Sequence, residues 1–167
     1  MTLKSVLHLP HPVLQQPCQP VAQVGPAEQA LADELVATMR ASPACVGLAA
    51  NQIGVSLRAF CVDVTGHRRA DTCHGLIVLF NPELLVARQL VSAREGCMSV
   101  PDLTGNVARA SEVVMRGLDR SGREQVVTAN AFEARALLHE LDHLDGLLFL
   151  DRVDSFGADV FKRKRYR

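Results

Sequence analysis

The segment Asn130–Gly146, NAFEARALLHELDHLDG, constrains the fold more than any other part of the chain. Its spacing predicts a helix over Asn130–Asp145, with Asn130 as N-cap, Glu133 three residues on and Gly146 just past the end. At about 100° per residue with Leu137 at zero, Leu141 falls near 40° and Leu144 near 340°, an apolar stripe. His139 and His143 fall at roughly 200° and 240°, almost opposite, and share that face with Phe132 and Ala136. Only a narrow strip, carrying Arg135 and Asp142, is charged. A helix apolar on two sides is buried between layers. Its imidazoles then need partners, because an unpaired buried polar group costs a few kcal/mol.

Residues four apart on a helix rise about 6 Å and point the same way, so the two imidazoles can meet one metal ion. Glu140 lies about 60–100° from that pair on the same helix, within reach of a water without ligating. This is the H-E-x-x-H arrangement of two ligands and a general base. The same residues also occur on solvated helices, so a third ligand is required. In zinc proteases it usually follows the helix. Here no His follows His143 and no Glu follows Glu140; the carboxylates that remain are Asp145, Asp151, Asp154 and Asp159.

The search therefore turns upstream, to REGCMSVPD, Arg94–Asp102. Cys97 offers a thiolate, a strong ligand for a divalent metal. Gly96 before it permits close approach of backbone or substrate. A buried structural cysteine is the plainer reading, and Cys18, Cys45, Cys61 and Cys73 are expected to take it. A third stretch, CVGLAANQIG (Cys45–Gly54), has small residues around Gly47 and one strong side-chain donor, Gln52. It suits binding an extended peptide and polarising a carbonyl, although a plain tight loop reads the same.

The 167 residues suffice for one domain, residues 1–167, with its own core. With no Trp, one Tyr and six Phe, that core must be mostly Leu, Val and Ala. The four prolines of LPHPVLQQPCQP predict an extended or turned start, and Pro26 opens a helix expected over about 27–41. Leu57–Val127 reads as short strands separated by Gly, Pro and Asp, with a hairpin turn around Ser121-Gly122. Strands followed by a helix predict an α+β fold.

Eighteen Lys plus Arg balance eighteen Asp plus Glu, so no global field steers the chain to DNA or an acidic membrane. No run reaches the ~18 apolar residues of a membrane helix. The start, MTLKSVLHLP, is too short and interrupted for a signal peptide. Five cysteines without a CxxC pair predict a reducing compartment, the cytoplasm.

CVGLAANQ (45–52), EGCMS (95–99) and HELDH (139–143) together resemble, in order, the three motifs of the peptide deformylase family, and LHLPHPVLQQP is loosely similar to its N-terminal segment. The resemblance implies short antiparallel sheets packed around a central histidine-bearing helix. It implies Cys97, His139 and His143 as ligands of one divalent metal, most often Fe(II), with Zn(II), Ni(II) or Co(II) as substitutes. Glu140 would be the general acid and base; Gln52 and the Met98 N–H would stabilise the oxyanion. Val46 and Gly47 would pair with the substrate, and Phe132 and Ala136 are expected to line its methionine pocket. The implied activity is removal of the formyl group from N-formylmethionine on newly made proteins.

Three positions depart from the family pattern. Cys45 replaces a glycine, Leu138 stands where many members have Gln, and Leu103-Thr104-Gly105 occupies a stretch where many carry an Arg that helps hold the peptide. These departures leave open an altered substrate or a peptide-binding paralogue without efficient catalysis. A zinc endopeptidase is disfavoured by the missing downstream ligand. The tail FKRKRYR has five basic residues in its last six. It reads as a solvated terminus or as a weak contact with ribosomal RNA.

Overall fold

The computed structural model describes residues 2–164. The proline-rich start is irregular apart from one 3₁₀ turn at Pro12–Gln15. Helix α1, Pro26–Ala41, begins with Pro26 in its first turn; Glu28 accepts the Gly25 N–H at 2.9 Å, and the helix stops before Pro43. Strands follow at Gly47–Ala49 (β1), Ala59–Val62 (β2), Ile77–Cys97 (β3), Val100–Leu118 (β4) and Glu124–Asn130 (β5). Helix α2 spans Ala131–Leu144, and a short helix α3, Phe156–Asp159, leads into strand β6, Val160–Lys162.

The α+β expectation agrees with this architecture; the strand lengths differ. Instead of short sheets there is one antiparallel sheet in the order β1-β2-β3-β4-β5, with β6 also on β4, and β3 and β4 run to 21 and 19 residues. Asn81 and Pro82 form an irregularity that shifts the register between Phe80 and Glu83 without ending the pairing. Proline is tolerated at a bulge because no ladder donor is needed there. Asn81 fastens this point to the chain start, its side-chain oxygen accepting from Val21 N and its amide donating to Val21 O, both at 2.8 Å.

The alternation of β2 and β3 explains why their apolar runs are continuous. Phe60, Val62, Ile77 and Leu79 face α2 and pack with Ala134, Leu137 and Leu144. Ala59, Cys61, Val78 and Phe80 face the other way and pack with Leu31, Leu35 and Met39 of α1. A strand buried on both faces has no polar side. Helix α2 thus lies against the sheet as its two apolar faces require. Its start differs in detail: Asn130 makes no side-chain cap bond. Asn130 and Glu133 instead clamp residues 71–74, with Glu133 accepting from Thr72 Oγ1, His74 N and His74 Nδ1 at 2.6–2.8 Å. The loop donors outcompete the first helical turn for these groups.

A candidate metal centre in a peptide cleft

β3 ends at Cys97, and Met98-Ser99 turn tightly into β4, where Cys97 pairs with Val100. This turn lies against the histidine face of α2. One ligand atom from each of Cys97, His139 and His143 lies within 4.8 Å of the others. Cys97 Sγ is 3.3 Å from His143 Nε2, and the two imidazoles meet edge to face with centroids 5.0 Å apart. Cys97 and His143 are buried. Burial alone would push the Cys97 thiol up, but the charge and hydrogen bonds of His143 and His139 bring it well below its ordinary value. The thiolate is the form that ligates.

Glu95, two residues before Cys97 and so on the same face of β3, accepts from His139 Nδ1 at 2.8 Å. That bond assigns the Nδ1 proton and turns Nε2 towards the cluster. Glu95 also accepts from Arg109 at 2.5 and 3.0 Å and from Arg135 at 2.7 Å. Burial would raise its carboxyl; His139 and Arg109 overcome that and hold it well below the usual carboxylate range. Arg109 continues to Asp142 at 2.8 Å, and Asp142 also accepts from Arg152. Arg135 and Asp142, which read as a charged strip, are therefore buried in an ion network joining α2 to β3 and β4.

Glu140 points from α2 onto β1. A methyl group at Gly47 would lie 2.6 Å from Glu140 Oε1, so only glycine lets the carboxylate sit there. Glu140 is buried, its Oε2 has no hydrogen-bond partner among the described residues, and burial raises its carboxyl. Gln52 lies in the 3₁₀ turn Ala50–Ile53. It accepts the Ala49 N–H at 2.9 Å and donates from Nε2 to Ser99 Oγ at 3.1 Å and Cys97 Sγ at 3.7 Å.

A cavity of about 330 Å³ opens beside these groups. Every residue given a catalytic, substrate or metal role from the sequence lines it except His143, which is buried. Val46, Gly47 and Gln52 come from one side, Gly96, Cys97 and Met98 from another, and Phe132, Ala136, His139 and Glu140 from α2. The Val46 carbonyl, however, already accepts the Asp63 N–H at 2.8 Å. That leaves Gly47 as the backbone position on the open edge of β1, whose partner strand is β2.

Several lining residues had no role in the sequence reading. His67 stacks on Phe132 with centroids 3.8 Å apart, and Arg69 lies 4.8 Å from the same ring. Arg94 and Arg163 border the end nearest Gly96. Glu95 was readable, since alternation puts it on the side of Cys97; His67 had no local signal, and Arg163 was read only as part of the basic tail. Of the four cysteines expected to be buried, Cys18 and Cys61 are, Cys45 is half-buried and Cys73 is exposed.

A family model described as polypeptide deformylase matches residues 3–158. The chain belongs to the peptide deformylase family. It is 42% identical to the peptide deformylase of Syntrophobacter fumaroxidans, covering 98% of this chain and 94% of that one. It is 41% identical to that of Halothermothrix orenii, covering 96% and 99%. Its structure is similar to that of the peptide deformylase from Ehrlichia chaffeensis in complex with actinonin, with a TM-score of 0.87, 30% identity and 94% and 92% of the two chains covered. It is also similar to a peptide deformylase from Legionella pneumophila, with a TM-score of 0.84, 35% identity and 93% and 88% covered. The family is metal-dependent. In this deformylase the three departures leave the cluster and Glu140 in place: Leu138 packs into the core, Thr104 accepts from Arg94, and the Cys45 thiol donates to Gly47 O at 3.1 Å.

Proposed function

We propose that Cys97, His139 and His143 hold one divalent metal, and that Glu140 moves the proton, when this hydrolase removes the formyl group from N-formylmethionine on newly made proteins. The observation that carries this is the convergence of one sulfur and two imidazole nitrogens beside a buried carboxylate. The donor set fits a divalent transition metal, and Glu95 orients one of its imidazoles. Fe(II) is the proposed ion, with Zn(II), Ni(II) or Co(II) able to replace it. Bound there, the metal supplies Lewis-acid charge that lowers the pKa of a water towards ~7 and polarises a carbonyl.

The chain's own groups do the rest. Glu140 takes the proton of the attacking water and returns it to the departing amine. Gln52 Nε2 and the Met98 N–H donate to the oxyanion, each such donor being worth about 3–4 kcal/mol in a transition state. The open edge of β1 at Gly47 receives the substrate backbone as an added strand, while Val46 contributes its side chain and Gly96 allows close approach. Phe132 and Ala136, with His67 behind Phe132, form the apolar wall for the methionine side chain.

The whole chain acts as one catalytic unit in the cytoplasm, where formylated nascent chains arise; no helix among the described residues is long and apolar enough to cross a membrane. A weak contact of the basic tail with ribosomal RNA belongs to the same proposal. Phe161 and Lys162 are held in β6, so that contact falls to the residues that follow, of which 165–167 lie outside the described residues. The deciding experiment is formate release from a formyl-Met tripeptide by Fe(II)-loaded protein, with and without a chelator. Turnover that survives complete metal removal contradicts the reading.

A further inference from the structure

The loop of residues 63–76, between β2 and β3, is tied to the first turn of α2 on both sides of Phe132. The Asn130 side chain accepts from Thr72 N at 3.0 Å and donates to Asp71 Oδ2 at 2.7 Å, while Glu133 takes the bonds from Thr72 and His74. The earlier part of the loop is wound in turns, the His67 N–H donating to Val64 O and the Ala70 N–H to His67 O, both at 3.0 Å. His67 Nδ1 accepts the Arg69 N–H at 3.2 Å, which fixes the imidazole. The loop thereby lays two side chains on Phe132. The His67 ring stacks on it with centroids 3.8 Å apart and planes 11° from parallel, and the Arg69 guanidinium lies 4.8 Å from its centroid. Stacking and cation–π contact both favour this one placement of the ring.

A second cavity, of about 200 Å³, adjoins the cleft. Phe132, Arg69 and Arg135 line both spaces, so these three side chains form the partition. Ala93, Ala110 and Ala131 line the second cavity further on, and their methyl groups fill little of it. Arg135 is immobilised, donating to Glu95, Val107 O and Val91 O at 2.6–2.9 Å. Phe132 has no polar anchor; the groups that pin its ring come from the loop.

We infer that His67 and Arg69 set the depth of the pocket for the substrate's first side chain, by holding Phe132 as a shutter across the second cavity. This rests on the deformylase reading of the cleft. A side chain that reaches Phe132 is stopped there. A longer one enters the second cavity only when the ring swings aside, and that movement breaks the stack with His67. Exclusion of longer side chains therefore comes from the loop as well as from α2.

The test is kcat/KM for formate release by the metal-loaded full chain on formyl-Xaa-Ala-Ser peptides, with Xaa methionine, 2-aminoheptanoate or 2-aminooctanoate. In the unaltered chain each methylene beyond methionine length should lower kcat/KM about tenfold, the low end of the range for one methylene in a closed apolar pocket. The ratio of the aminooctanoyl to the methionyl peptide should rise about tenfold or more in Phe132→Ala and in the double variant His67→Ala/Arg69→Ala. Reading a ratio within each variant cancels any general loss of activity. Adding Ala110→Leu to Phe132→Ala fills the second cavity and should return the ratio to its low value. Equal values for all three peptides in the unaltered chain, or a ratio unchanged in the double variant, overturns the depth-setting role and leaves the deformylase reading standing. A high ratio that persists with Ala110→Leu places the longer side chain elsewhere and overturns it too. No formate from any peptide overturns both.

Discussion

The Glu95 carboxylate holds His139 by its Nδ1 at 2.8 Å, from a position two residues before Cys97 on the same strand. One strand thereby carries a cluster thiolate and the group that orients a cluster imidazole. Arg109 and Arg135 balance that carboxylate, and Arg109 passes the connection to Asp142, one residue before His143. The geometry of the cluster is therefore tied to the docking of α2 on the β3-β4 hairpin.

Replacing Glu95 by Gln should weaken both. Metal affinity should fall about 10–100-fold, as for other carboxylates that orient a ligating histidine. Folding stability should fall by about 3–5 kcal/mol, because Arg109 and Arg135 are left buried without their countercharge. Competitive chelator titration and urea unfolding of the metal-free chain measure the two effects separately. Unchanged metal affinity would refute the orienting role.

Glu140→Gln separates metal holding from proton transfer. The side chain keeps its shape and loses the ability to accept the proton. Metal content should stay at one ion per chain, and formate release should drop about 10²–10⁴-fold, the range for a positioned general base. A variant that turns over at the original rate removes Glu140 from the mechanism.

Gly47→Ala tests the close approach of β1 to α2. The added methyl must displace the Glu140 carboxylate, which would stand 2.6 Å away. A misplacement of about 1 Å costs on the order of 10²-fold in rate. The loss should appear in kcat, with far-UV circular dichroism and metal content preserved.

Cys45 borders the cleft, and burial, with the nearby Glu140, pushes its thiol up to about 12. The thiolate is the reactive form, so raising the pKa suppresses reaction at every pH below it. At pH 8 iodoacetamide should label the exposed Cys73 and spare Cys45, with mass spectrometry locating the adduct. The Cys45 rate should climb about tenfold per pH unit through the alkaline range, as the thiolate fraction does. Rapid labelling of Cys45 at pH 8 would show that the loop opens.

Much of this was legible in local pattern. The expected helices over 27–41 and 130–145 end within a residue of Pro26–Ala41 and Ala131–Leu144, because capping residues and apolar periodicity act within a few residues. Strand length was misread because Gly, Pro and Asp within Leu57–Val127 look like separators, and only the partner strand shows that pairing continues past Asn81-Pro82. The partners of Arg135 and Asp142 were not legible because a helical wheel carries no information on the countercharges Glu95 and Arg109, which come from elements many residues away.

By itself the sequence determined which donors exist and that α2 had to be buried on two faces, since side-chain chemistry and the 3.6-residue period are local properties. Only the tertiary structure decided that the β3-β4 turn sets Cys97 against those histidines, that Glu140 rests on Gly47, and that a strand beyond the family match brings Arg163 to the cleft. Those contacts depend on strand register and layer packing, and residues far apart in the chain acquire neighbours only when the core closes around them.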